Sequence, residues 1–294
     1  VINTDKSVEA EPEMTIRIVT DSTCDLPDEV IEKYGITVVP LYINVGEEGY
    51  LDGVELTREQ FYQRLPDWDP PPTTATPSPD SFIDAYKKLK NEGASEVLSI
   101  HISISLSATV DVARVAAEKT KSIPVTVLDS RQLSLGTGFL VERAAQAAEE
   151  GKSMAEILEI LEDQIARTHV FAALETLEFL RRSGRMNGAV AGIGSLLQIK
   201  PLLKMYEGDP TSERVRTSNG ASKRLLELLE EKKPFERIAL VHTHADEKAR
   251  TLLEQVQADL PEGDIPSVDI TPVIGAHIGP GAVGFTVISS KKTR

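Results

Sequence analysis

Short β-branched and apolar runs alternate with longer amphipathic stretches through the first half of the chain. Ile16–Thr20 ends in Asp21-Ser22, followed by Leu26-Pro27 and a helical pattern to Tyr34. Ile36–Ile43 predicts a second strand. Val97–Ile102 and Val125–Leu128 repeat the pattern, the latter again ending in Asp-Ser (Asp129-Ser130). Helical periodicity covers Pro79–Asn91, Thr109–Thr120 and Leu133–Glu150. Strands alternating with helices of this length predict βαβ units and a doubly wound, mostly parallel sheet. Ligands bind such sheets where loops leave the carboxyl ends of the strands.

The second half mixes its signals. Met154–Ala166 and Leu174–Arg182 read as helices, the latter stopped by Ser183-Gly184. Leu202–Tyr206, the turn Glu207-Gly208-Asp209-Pro210 and Arg214–Arg216 read as a hairpin. A helix at Ser222–Lys232, a strand at Arg237–His242, a helix at Glu247–Leu260 and strands at Ser267–Val273 and Phe285–Ser289 complete an α+β pattern. The expected organisation is a polar, disordered tail over 1–13, an N-terminal α/β domain over 14–160 and a C-terminal α+β domain over 161–294.

Three loops depart from linker composition. Pro66–Pro79 carries six of the seventeen prolines and the hydroxyls of Thr73, Thr74, Thr76 and Ser78. Proline fixes φ, so this loop can hold a hydroxyl still at low entropic cost. Ser103–Thr109 joins a strand to a helix. There Ser107 reads as an N-cap with Ala108 opening the helix, and a helix start welcomes an anion. The spacing lacks the Gly-x4-Gly-Lys of a nucleotide-binding P-loop. Gly275–Gly284 holds four glycines and a proline around His277, implying tight turns and a donor for a carboxylate or a shuttle for a proton.

Charge narrows the function classes. Lys plus Arg total 32 against 46 Asp plus Glu, a formal net charge of -14. That balance argues against nucleic acid and against docking on an anionic membrane. No apolar run approaches the roughly 18 residues of a membrane span, so no membrane insertion is expected. Cys24, the only cysteine, excludes an intramolecular disulfide. A polar, acid-rich start without a signal-peptide pattern completes the expectation of a cytoplasmic protein.

Two catalytic patterns compete with a binding reading. His242-Thr243-His244-Ala245-Asp246 has the His-x-His-x-Asp spacing of binuclear metallohydrolases. Glu247 stands where that pattern expects His, and His277 is the only later histidine. Alternation along a strand explains the shared face of His242 and His244, so no metal or other cofactor is expected. A hydrolase or transferase acting on a small carboxylate or ester would use Ser107 and His277, but no Gly-x-Ser-x-Gly elbow is present.

Taken in order, the blocks from Ile16 to about Ser289 resemble the DegV family of fatty-acid-binding proteins, the lipid-binding subunits of bacterial fatty acid kinase. They are Thr20-Asp21-Ser22-Thr23, Thr74-Ala75-Thr76-Pro77-Ser78, the stretch Ile102–Thr109, Leu128-Asp129-Ser130 with Ser134-Leu135-Gly136, Ser183-Gly184-Arg185, Ile199-Lys200-Pro201, Val215-Arg216-Thr217 and His277-Ile278-Gly279-Pro280-Gly281. The resemblance implies an acyl chain in an apolar tunnel between the two domains, with its carboxylate near the surface. Thr74 and Ser107 match the family's carboxylate-binding hydroxyls and His277 its neighbouring histidine. Ser103, Thr76 and Gly279 are secondary candidates. A separate ATP-dependent kinase subunit would phosphorylate the bound acid and feed phospholipid synthesis. The chain itself would turn nothing over. Arg216, Arg185 and Lys200 match basic positions suited to facing that kinase. Ala75, Thr76, Ile104 and Ala108 depart from the family's usual Ser, Gln, Ser and Gly, but none removes the matched hydroxyls.

Overall fold

A computed structural model describes residues 15–185, 199–256 and 265–291. The tail expected over 1–13 lies outside the described residues, as does the end of the helix expected to reach Leu260.

The alternating first half builds a four-stranded parallel sheet from β1 (Ile16–Asp21), β2 (Thr37–Val39), β6 (Glu96–His101) and β7 (Val125–Asp129), in the order β2-β1-β6-β7. Its crossovers carry α1 (Asp28–Tyr34), α3 (Pro79–Asn91) and α4 (Thr109–Lys119). Ser78 caps α3 by accepting the Ser81 N–H, and Pro79 occupies the first turn, where its missing N–H costs nothing. The run Ile36–Ile43 is not one strand. Pro40 interrupts it, because proline cannot donate to a ladder. Beyond Pro40, β3 (Tyr42–Val45) joins β4 (Glu48–Leu51) and β5 (Thr73–Ala75) in a separate antiparallel sheet, β4-β3-β5. The proline-rich loop thus contains a strand, with Thr74 paired opposite Ile43. The helix α2 (Arg58–Arg64) lies between β4 and β5 and is closed by a reciprocal Thr57–Gln60 capping box.

The second half forms a six-stranded mixed sheet: β8 (Thr168–Ala173), β9 (Lys200–Tyr206), β10 (Asp209–Val215), β11 (Phe235–His242), β12 (Ser267–Asp269) and β13 (Val283–Ser289), ordered β10-β9-β8-β13-β11-β12. Only β11 and β12 run parallel in it. The helices are α5 (Leu135–Glu149), α6 (Met154–Ile165), α7 (Glu178–Arg182), α8 (Ser218–Glu230), α9 (Asp246–Val256) and α10 (Pro272–Ile278). Among these, α5 holds the two halves together. Phe139, Leu140 and Val141 share one core with Ile18 and Ile100 of the parallel sheet and with Ala239 and Val241 of the mixed sheet.

Two expectations near the site are corrected. The strand expected over Ser267–Val273 ends at Asp269, because Pro272 starts a helix instead. That helix, α10, takes up the first part of the glycine-rich stretch, so His277 sits in a last helical turn and not mid-loop. Gly275 is there for close packing: a Cβ would lie 2.3 Å from the Tyr62 hydroxyl oxygen. Gly279 ends the helix at φ 75°, where a side chain would be strained.

Candidate functional site

Loops at the carboxyl ends of β1 and β6 face β8, β9 and α10 across a cavity of about 360 Å³. One wall comes from the parallel sheet's loops, through Thr23, Ile102, Leu106 and Leu133. The opposite wall comes from Val170 and Ala172 of β8 and Leu203 and Met205 of β9, with Val273 and Ile274 of α10 closing a side. The volume lies in the range of about 300–1,000 Å³ typical of small-ligand sites. The lining is mostly aliphatic, broken by several hydroxyls, by His277 and by the charged Arg185 and Lys204.

The three primary candidates, Thr74, Ser107 and His277, all line this one cavity, although they stand on three separate segments. Thr74 Oγ1 lies 2.9 Å from His277 Nε2. His277 Nδ1 is buried and has no partner among the described residues. Burial, and secondarily the nearby Arg185 charge, push the His277 imidazole down to about 4, so it is neutral at pH 7. A neutral ring bonded to a hydroxyl has two arrangements. If Nε2 accepts from Thr74, Nδ1 carries an unspent N–H. If Nε2 donates, the Thr74 hydroxyl keeps its own proton to give. Either way the pair retains one donor.

Ser107 behaves differently from its expected role as a cap. Ala108 occupies the N-cap position and α4 opens at Thr109. The Ser107 oxygen accepts the Thr109 N–H at 3.3 Å and meets Thr109 Oγ1 at 2.8 Å. The loop is tightened by the N–H groups of Leu106 and Ser107, both donating to the Ser103 carbonyl at 3.0 and 3.1 Å.

The secondary candidates lie outside the cavity lining. Ser103 is fully buried and its Oγ pairs with Ser105 Oγ at 2.9 Å, so Ser105, not Ser103, faces the cavity. Thr76 is half-buried just past β5. Gly279 accepts the Thr243 hydroxyl at 2.8 Å and packs on Phe179, shaping the end of α10. Of the basic candidates, Arg185 is exposed and lines the cavity beside Gly184. Arg216 is exposed between β10 and α8. Lys200 instead pairs with Glu175, which also holds Lys248, in a separate hollow.

Several lining residues escape the sequence reading. Thr23 and Ser134 sit inside the family blocks, but nothing local distinguishes them as wall residues. Val170 and Ala172 belong to β8, an apolar run too short for periodicity to assign.

The His242–Asp246 pattern also resolves differently from the alternation argument. β11 ends at His242, and His244 takes a left-handed φ of 49°, so the two do not alternate along one strand. His242 Nδ1 accepts the Ala245 N–H at 3.3 Å. Among the described residues, no group of three or more His, Cys, Asp or Glu side chains is placed to hold a metal ion. Cys24 is buried, and burial pushes its thiol up to about 12. No described helix is long and apolar enough to cross a membrane.

The family model described as "Uncharacterised protein, DegV family" matches residues 15–290. A DegV domain-containing protein of Deinococcus radiodurans is 39% identical over 281 residues, spanning 93% of this chain and 98% of its own. Among solved structures, a DegV family protein from Thermus thermophilus described by its fatty acid binding is 37% identical with a TM-score of 0.84, covering 94% of this chain and 100% of that one. DegV of Bacillus subtilis, described as a fatty acid binding protein, is 32% identical with a TM-score of 0.86 and covers 94% and 100%. With sequence and fold agreeing along nearly the whole chain, this protein belongs to the DegV family.

Proposed function

We propose that this protein binds a long-chain fatty acid, with the tail in the aliphatic cavity and the carboxylate held by Thr74, Ser107 and His277, and that it presents the acid to a separate ATP-dependent kinase subunit for acyl-phosphate formation. The observation that carries the reading is the Thr74–His277 pair, which keeps one donor without a partner among the described residues, at the wall of a mostly aliphatic cavity. A buried carboxylate without partners costs several kcal/mol, so it requires donors of this kind. Each buried CH₂ contributes about 0.8 kcal/mol, so a long tail offsets an association cost of about 4–15 kcal/mol. The fatty-acid binding of the Thermus and Bacillus relatives supports the same ligand class. A hydrolase would need His277 to take the Ser107 proton. Their side-chain partners are instead Thr74 and Thr109, so no observation favours that reading.

Native mass spectrometry followed by denaturing extraction tests the binding step. A co-purified mass in the long-chain fatty-acid range, lost from the combined Thr74→Ala and Ser107→Ala variant, is expected. Ligand-free protein that also refuses added palmitate and oleate overturns it. For the kinase step, Arg216→Ala is expected to slow ATP-dependent acyl-phosphate formation by an added fatty acid kinase subunit while leaving bound acid unchanged. Arg185, which lines the cavity, is expected to affect both.

A further inference from the structure

Behind the cavity wall runs a chain of buried polar groups that ligand contact does not require. Tyr86 Oη on α3 meets Ser99 Oγ on β6 at 2.9 Å. Ser99 Oγ meets His101 Nε2 at 2.7 Å, and His101 Nδ1–H donates to Asp21 Oδ2 at 2.9 Å. All four side chains are sealed from solvent. Carboxylate, imidazole and hydroxyl in this order resemble a hydrolytic triad. The hydroxyl is unreachable, however: Ser99 has no exposed surface, is engaged by Tyr86 and does not line the cavity.

The role of these groups is visible at the carboxylate end. Asp21 Oδ2 also accepts the Ile102 N–H at 3.2 Å, and Oδ1 accepts both the N–H and the hydroxyl of Thr23. With His101 these are four donors, which fill the roughly four lone-pair sites of a carboxylate. Burial pushes the Asp21 carboxyl up, but the His101 hydrogen bond and attraction, with the Thr23 bonds, outweigh it and hold the group below its ordinary value. Thr23 and Ile102 both line the cavity, and Ile102 starts the loop that brings Ser105, Leu106 and Ser107 to it. His101 in turn cannot rotate, because both ring nitrogens are bonded and Phe82 packs edge-on against the ring at 5.0 Å.

We propose that Asp21, oriented by His101, is a positioning residue for the carboxylate end of the cavity: it fixes the Thr23 turn and the start of the serine loop so that Ser107 meets the ligand's headgroup. This inference rests on the fatty-acid reading. Asparagine is nearly isosteric at position 21 but offers one acceptor oxygen and an NH₂ that would face donors, so Asp21→Asn should loosen the loop without emptying the tail site.

The test compares binding of hexadecanoic acid and hexadecan-1-ol, equal in tail and different in headgroup, by titration calorimetry. Wild-type protein should prefer the acid. Asp21→Asn is expected to lose about tenfold or more in acid affinity with alcohol affinity essentially unchanged. His101→Gln, which keeps the carboxylate but disturbs its orientation, should shift the ratio the same way by less. Leu229→Ala, a core substitution on the buried face of α8, lowers Tm without moving the ratio and so separates positioning from general destabilisation. If Asp21→Asn does not fold, His101→Gln decides: a fall in the acid-to-alcohol ratio supports the inference and an unchanged ratio overturns it. Wild-type protein that takes up neither compound overturns the fatty-acid reading and this inference with it. An acid preference that survives in the folded variants overturns this inference alone.

Discussion

His101 is fully buried and His277 half-buried, and each has a ring nitrogen on a hydroxyl group, Ser99 for the first and Thr74 for the second. They differ at the other nitrogen. His101 Nδ1 is spent on the Asp21 carboxylate, inside a chain of groups that all have partners and no solvent access. His277 Nδ1 has no partner among the described residues, and the ring borders the cavity. Buried polar atoms are almost always paired, so the full set marks a structural joint; several other buried atoms also lack a partner among the described residues, but of all these residues only His277 lines the cavity. Local sequence does not reveal this difference in pairing. The glycine-rich stretch and the family block draw attention to His277, but the difference in pairing comes only from partners brought by distant segments.

The largest expected effects attack that distinction directly. Removing His101 leaves a buried carboxylate short of its strongest donor, so His101→Ala should lower folding stability by about 3–5 kcal/mol. His277→Ala removes an unpaired buried atom, so stability should change by no more than about 1 kcal/mol, while fatty-acid affinity falls about ten- to a hundredfold. Urea denaturation and ligand titration on both variants check this crossed pattern. Equal stability losses would erase the difference between the two histidines.

Acid titration sharpens it. The His277 value of about 4 lies below the ordinary 6.5, so the folded protein holds this proton more weakly than the unfolded chain does. Its contribution to stability is therefore full above pH 6.5 and is lost as pH falls through about 4. Asp25 and Asp52, raised mainly by burial to about 6, act in the opposite sense: their contribution is present below about 3.8 and is lost as pH rises through about 6. The net curve mixes these trends, so the comparison must be between variants. His277→Gln should retain about 1–3 kcal/mol more of its neutral-pH stability at pH 4 than wild type does. Denaturant titrations at pH 7, 5.5 and 4 measure the difference, and parallel curves would mean that His277 does not titrate with folding.

How far the molecule is legible in its sequence depends on whether the signal is local. The βα alternation appears where periodicity places it, and α3 has the expected bounds, because Ser78 and Pro79 mark its start with two adjacent residues. Thr74, Ser107 and His277 are picked out by family blocks and do meet at one cavity, over a separation of 203 residues between the first and last. The hidden groups are those whose meaning lies in a remote partner. Asp21 stands in a family block after the first strand, but nothing near it in sequence shows its role, which His101, 80 residues on, supplies. The glycine-rich stretch reads as a loop because glycine signals a turn as readily as close packing. Gly275 packs under Tyr62 inside a helix, whereas Gly279 and Gly281 take positive φ and turn the chain after it.

The finest comparison lies within the proline-rich segment, where neighbouring threonines compete for one role. Strand alternation sends Thr73 and Thr74 to opposite faces. β5 pairs Thr74 with Ile43 and Ala75 with Tyr42, and Thr74 alone of Thr73, Thr74 and Thr76 lines the cavity and reaches His277. Thr76 follows the end of the strand, half-buried and outside the lining. Valine replaces threonine with little change of shape, so it removes the hydroxyl alone. Thr74→Val should cost about tenfold in fatty-acid affinity, the worth of one hydrogen bond to a charged group. Thr76→Val should leave affinity unchanged within titration error. Because both substitutions exchange one hydroxyl for one methyl, equal losses would mean that the segment shifts when ligand binds, and the Thr74–His277 pair would lose its place as the carboxylate anchor.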